Sequence, residues 1–212
     1  MSDPSALETS GQATMTFAEW GALPEDEPGE LVDGRLEEEE VPDFVHVVIV
    51  GWLIQQLRNW MAGRGGFVGG SEAKFKVSAR RGRKPDVFAY LPGGRLPPPR
   101  GIVRIPPDIM VEVVSPQARD GRRDRVAKLN EYAAFGVRFY WIVDPNLRSF
   151  EIFELTAEKA YLHRLGAGGG IIDPVPGCVG LRLDLDALWA ECDRLGPDQP
   201  ADPDDDEPLA DD

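Results

Sequence analysis

The chain has 212 residues, 42% of them hydrophobic, which suits one core-bearing domain with ragged ends. No apolar run approaches the roughly 20 residues of a membrane-spanning helix; the strongest, VHVVIVGWLI (Val45 to Ile54), suits a core helix. Two cysteines without a CxxC pattern and two histidines argue against a disulfide framework, a zinc site or a histidine-rich metal centre.

The net charge of −14 by itself opposes a nucleic-acid partner. Its distribution does not. Residues 44–192 carry 21 Lys+Arg against 15 Asp+Glu, while the flanks carry 2 against 22. A mildly basic body has acidic ends. The first residues lack a basic start and an apolar segment, so no secretory signal is expected and a reducing cytoplasm is the expected compartment.

In chain order, residues 1–14 read as a disordered tail, residues 15–192 as the domain and residues 193–212 as an acidic disordered tail. TFAEWGAL opens with Thr16 and Glu19 at capping-box spacing, predicting a short helix. GELVDGRL holds Asp33-Gly34 between two extended runs, a hairpin signal. Asp43 can cap a helix from about Phe44 to Met61, with an apolar face through Val47, Val50, Ile54 and Leu57. EAKFKVSA alternates as a half-buried strand, PDVFAY is the next strand, and LPGGRLPPPRGIVRIPP is a loop. DIMVEVVS is apolar on both faces and so belongs at the centre of a sheet. A helix from Asp120 to Phe135 stops at Gly136, and VRFYWIVD is another buried strand. SFEIFEL and KAYLHRL form an antiparallel pair, and a helix around Leu185 to Cys192 ends the domain. Asp144, before Pro-Asn, is a turn residue, and Asp184 and Asp186 sit where a helix start favours negative charge.

Two carboxylates stand out. Asp86 sits at the mouth of an apolar strand, directly after Pro85. Glu112 is flanked on both sides by apolar residues in MVEVV. A lone buried carboxylate is costly unless it is paired or binds a cation. If the two strands are neighbours, Asp86, Glu112 and a backbone carbonyl make a hard, oxygen-rich site suited to Mg²⁺ or Mn²⁺. The alternative is that Glu112 pairs with an arginine on a half-buried strand. The basic stretches ARRGRK (Ala79 to Lys84) and ARDGRRDRVAK (Ala118 to Lys128) are either solvated surface or a phosphate footprint.

An acid after proline at a strand mouth, followed by an acid inside a second strand, resembles the PD-(D/E)XK nuclease core. GELVDGRL, KPDVFAY, EVVSP and the block KLNEYAAFGVRFYWIVDP resemble the Uma-two family of that superfamily, from about Thr16 to Leu188. The resemblance implies an α/β (α+β) fold: a restriction-endonuclease-like mixed central sheet flanked by helices. It implies a Mg²⁺-dependent endonuclease acting on DNA. The alternative is a nuclease-fold module that binds nucleic acid or a protein partner without cutting. The superfamily's usual lysine, two positions after the second acid, is replaced here by Val114; Lys128 on the following helix is the candidate substitute. Asp86, Glu112 and the Val113 carbonyl would hold the metal, and Glu30 matches the family's early acid. The alternative for Glu30 is a surface residue at a hairpin edge. Lys74, Lys76, Arg83, Lys84, Arg122 and Arg123 are the candidate nucleic-acid contacts, with a solvated face the alternative for Lys74 or Lys76. His46 resembles the family's histidine at a helix start, with a capping or core role the alternative. Tyr132 reads as packing with an optional hydroxyl contact. A homodimer is compatible with cutting both strands.

Overall fold

The computed structural model describes residues 14–24, 29–37, 42–115 and 124–196. Most of the two expected tails, the start of the expected helix at Asp120, and Arg122 and Arg123 lie outside the described residues.

Local signals set the first elements. Thr16 and Glu19 form the capping box of α1 (Phe17–Ala22): Glu19 N–H donates to Thr16 Oγ1 at 3.2 Å, and Thr16 N–H to Glu19 Oε2 at 2.7 Å. Asp33 and Gly34, at φ 51° and 81°, turn β1 (Glu30–Val32) into β2 (Arg35–Glu37). Asp43 caps α2 (Phe44–Met61) by accepting from His46 N–H at 2.7 Å.

The buried face of α2 differs from the expected one. Ile49, Leu53, Leu57 and Met61 face the core, while Val47 is 51% exposed. Almost every residue from Val45 to Ile54 is apolar, so spacing alone cannot choose a face; the packing partners do.

Two of the strands before PDVFAY lie where the sequence pattern is silent. The glycine-rich stretch after α2 holds β3 (Phe67–Gly70), and the basic stretch holds β5 (Arg81–Arg83). EAKFKVSA contributes only β4 (Phe75–Lys76). The bare backbone of Gly69 lets the Phe88 ring lie across it; a Cβ there would stand 2.3 Å from that ring.

The later strands fall as expected: β6 (Val87–Tyr90), β7 (Ile109–Val113), β8 (Phe139–Asp144), β9 (Ser149–Leu155) and β10 (Tyr161–Ala167). Between β7 and β8 the described helix begins with a π-helical turn, Asp124–Lys128. It continues as α3 (Leu129–Phe135) and ends on Gly136 at φ 103°. A short pair, β11 (Ile171–Ile172) and β12 (Leu183–Asp184), leads into α4 (Leu185–Cys192), capped by Asp184. Asp144 keeps its turn role, accepting from Leu147 N–H at 3.0 Å.

The central sheet has the order β10-β9-β8-β7-β6-β3. Only β7 and β8 run parallel, so the sheet is mixed. A second sheet, β2-β1-β5-β4, stands beside it. Alternation along β7 divides the core in two. Ile109, Val111 and Val113 join Ile49, Leu53, Trp141 and Leu188 on the side of α2 and α4. Met110 and Val114 join Phe75, Phe88, Tyr132 and Tyr140 on the side of α3 and the second sheet. Glu112 lies between Met110 and Val114, so the pleat turns it to the α3 side.

The second sheet is anchored by Trp20, fully buried against Gly82 of β5. A Cβ on Gly82 would stand 2.5 Å from the Trp20 ring. Gly82→Ala is therefore expected to lower unfolding stability by about 1–3 kcal/mol, the usual cost of overpacking. A urea titration checks this.

Candidate active site

Glu112 is 3% exposed on the fully buried β7. Both of its oxygens carry hydrogen bonds from the helix that follows. Lys128 Nζ donates to Oε2 at 2.7 Å, and Tyr132 OH donates to Oε1 at 2.6 Å. Lys128 and Tyr132 are four residues apart, one turn along the same face. The helix after β7 thus delivers an ammonium to Glu112. Tyr132 is fully buried, and burial followed by the Glu112 charge holds its pKa well above the usual phenol range. It stays a proton donor to the carboxylate. The sequence marks Tyr132 only by its spacing from Lys128, and packing alone would satisfy that spacing.

Asp86 stands across from Glu112. In the antiparallel pair β6–β7, Val87 faces Val111, so the residues one step out on each strand are Asp86 and Glu112. β6 ends there, and the Asp86 carboxylate takes over as partner for the next amide: Val113 N–H donates to Asp86 Oδ2 at 2.6 Å. An acid at the mouth of an apolar strand thereby completes the hydrogen bonding of its neighbour. The other oxygen, Oδ1, lies 3.1 Å from His46 Nε2 in the first turn of α2. His46 therefore does touch the site.

Glu30 is no hairpin-edge residue. β1 lies between β2 and β5, and Glu30 is 5% exposed. Its Oε1 lies 3.8 Å from Lys128 Nζ and accepts from Lys84 N–H at 3.0 Å. Its Oε2 accepts from Arg83 Nη1. Arg83 in turn forks onto Glu131 of α3, with Nε to Oε2 at 2.7 Å and Nη2 to Oε1 at 2.9 Å. Glu30, Glu112 and Lys128 thus meet where β1, β7 and the π-helical turn before α3 converge, with Asp86 opposite Glu112 at the start of β6.

Two of the expected nucleic-acid contacts, Arg83 and Lys84, are corrected, and Lys74 and Lys76 are half-buried against α1. Arg83 is 1% exposed, and its guanidinium is held by two internal carboxylates. Lys84 is 6% exposed, with Nζ 3.6 Å from Glu72. Lys74 donates to the carbonyls of Trp20 and Leu23 at 2.9 and 3.1 Å, completing the C-terminal end of α1. Lys76 places its ammonium 4.3 Å from the centre of the Phe17 ring. Within ARRGRK, Arg83 is buried between internal acids and Lys84 is buried beside Glu72, while Arg80 stays exposed on Asp33; Lys74 and Lys76, earlier in the chain, fasten α1.

His46 titrates with consequences for stability. Burial pulls its pKa down, but the hydrogen bond and charge of Asp86, with the charge of Asp43, outweigh this and the net shift is upward. A raised folded-state pKa contributes stability that is full below the unfolded value of about 6.5 and is lost as pH rises through the folded value. The difference in urea midpoint between the wild type and His46→Asn is expected to be larger at about pH 6 than at about pH 8.

Among the described residues no group of three or more His, Cys, Asp or Glu stands ready to hold a metal. The Asp86 and Glu112 pair supplies hard oxygen donors on adjacent strands, which is the donor chemistry of Mg²⁺ and Mn²⁺. Each of the four oxygens also takes a contact from a protein donor. A carboxylate oxygen has a second lone pair, so those contacts do not exhaust the set.

A family profile, Uma2, described as putative restriction endonuclease, matches residues 16–186. The chain belongs to this family. A similar solved structure is that of a putative nuclease belonging to DUF820 from Anabaena variabilis. It is 18% identical, with a TM-score of 0.64, over 83% of this chain and 98% of that one. At that identity the likeness establishes the fold, a restriction-endonuclease-like mixed sheet flanked by helices. A search of curated proteins returned no match. Membership of the Uma2 family and the shared fold support a nuclease function. No helix among the described residues is long and apolar enough to cross a membrane.

Proposed function

We propose that this Uma2 protein is a divalent-metal-dependent endonuclease that hydrolyses phosphodiester bonds in DNA. The observation that carries the reading is the meeting at Glu112: a buried carboxylate on the central strand, Asp86 opposite it, and the Lys128 ammonium 2.7 Å away. Asp86, Glu112 and the Val113 carbonyl would hold Mg²⁺ or Mn²⁺. When bound, such an ion lowers the pKa of a water and offsets charge developing on the phosphate. Lys128 supplies a fixed positive charge beside Glu112 for the phosphate oxygens or the attacking water. Tyr132 keeps the Glu112 carboxylate in one orientation. Glu30 balances Lys128 from the other side.

The protein contacts on every oxygen of Asp86 and Glu112 favour a second reading, a module of the same fold that binds nucleic acid or a protein without cutting. One experiment separates the two. Plasmid and linear DNA are incubated with the protein and Mg²⁺ or Mn²⁺, with a chelator control, and metal binding is followed by calorimetry. The nuclease reading expects metal-dependent nicking or cutting. Failure to cut DNA or RNA with either ion, at protein concentrations that bind the substrate, overturns it in favour of the module.

A further inference from the structure

We propose that Arg83 is a positioning residue for Lys128: by neutralising Glu30 while gripping Glu131, it keeps the Lys128 ammonium on Glu112. The consequence for rate rests on the nuclease reading above; the placement of the ammonium does not.

Four charged groups are almost wholly buried together: Glu30 at 5%, Arg83 at 1%, Glu112 at 3% and Lys128 at 7% exposure. Taking such groups out of water costs several kcal/mol each, and buried ion pairs are poor sources of net stability. The arrangement makes sense if it fixes one geometry. Among the described residues, two carboxylates lie within reach of the Lys128 ammonium, Glu112 Oε2 at 2.7 Å and Glu30 Oε1 at 3.8 Å. Without a cation of its own, Glu30 would compete for the ammonium. Arg83 Nη1 supplies that cation from the opposite oxygen, Oε2.

The same guanidinium acts on the helix. Its Nε and Nη2 make a bidentate fork on Glu131, three residues after Lys128 and adjacent to Tyr132. α3 is therefore held from two directions, by Arg83 through Glu131 and by Glu112 through Lys128 and Tyr132. Arg81, also on β5, adds a longer contact to Glu131 at 3.8 Å and an ion pair to Asp33 at 2.8 Å. Only a planar, five-donor group spans two carboxylates in this way; a lysine ammonium is a point charge and serves one of them.

The test is a crystal structure of Arg83→Lys beside the wild type, with single-turnover cleavage and DNA affinity measured on both. Lys128 Nζ is expected to leave Glu112 for Glu30 by more than about 1 Å. The cleavage rate should fall about a hundredfold, the usual penalty for a misplacement of that size, with DNA affinity within about twofold. Adding Glu30→Gln to Arg83→Lys removes the competitor and should return the ammonium to Glu112. If Arg83→Lys does not fold, Arg83→Gln with Glu131→Leu removes one charge of each sign and carries the same expectation. An ammonium that stays on Glu112 in the folded variant overturns the proposal. So does a parallel fall in rate and affinity with the ammonium unmoved, which would make Arg83 a DNA contact after all. If the ammonium moves but the wild type cuts no DNA, the positioning inference stands and the nuclease reading falls.

Discussion

Glu112→Gln is expected to lower metal-dependent DNA cleavage by about a thousandfold or more while leaving DNA affinity within a few-fold. The change removes one negative charge and keeps the side chain's shape. A metal that loses one of two carboxylates, together with the charge stabilisation it brings to the phosphate, forfeits several kcal/mol of transition-state stabilisation. About 4 kcal/mol corresponds to roughly a thousandfold in rate. The hydrogen-bond pattern constrains the outcome further. Gln can still accept from Tyr132 or from Lys128, but its amide nitrogen must face one of these two donors. Cleavage assays with gel-shift or anisotropy binding measure both quantities. A variant that cuts as fast as the wild type removes Glu112 from the chemistry.

The sequence makes this site legible to different depths. Asp86 and Glu112 can be found because an acid inside an apolar strand is expensive, and the expense calls for a partner. Lys128 can be found from the resemblance, whose usual strand lysine is replaced here by Val114, together with the helical spacing that puts Lys128 and Tyr132 on one stripe. The central strand itself is legible from apolar residues on both faces, and so is the turn at Asp33-Gly34. The basic stretch misleads. ARRGRK looks like surface because charge usually is, but β5 lies between β1 and β4, with α3 across from it. The Arg83 guanidinium and the Lys84 backbone N–H then meet one internal acid, Glu30, 53 and 54 residues earlier in the chain. No local pattern encodes a pairing at that separation. The glycines of β3 mislead in the opposite way, because Gly69 is needed under the Phe88 ring, a contact that only the folded sheet creates. The face of α2 is hidden for a third reason: its first half, Val45 to Ile54, is almost wholly apolar and has no preferred side until α4 and the sheet pack against it.

Lys128→Met tests whether the charge at the centre of the site serves stability or reaction. Among the described contacts, removing the ammonium leaves Glu112 the Tyr132 hydroxyl and leaves Glu30 the Arg83 guanidinium and the Lys84 N–H, and both carboxylates remain buried. Breaking a buried pair from one side costs about 3–5 kcal/mol, because the remaining charge has lost its compensation. Urea unfolding of Lys128→Met is expected to show a loss of that order, and cleavage should fall with it. The double variant Glu112→Leu with Lys128→Met removes both charges and replaces them with apolar groups. Such replacements are often neutral or stabilising, so most of the lost stability should return, less the cost of leaving the Tyr132 hydroxyl without its acceptor, about 1–3 kcal/mol. Cleavage should not return. Recovered stability without recovered activity would mean that the Glu112–Lys128 pair is held in the core for its chemistry, at the expense of the fold. A double variant no more stable than Lys128→Met would instead make the pair part of what holds α3 against the sheet.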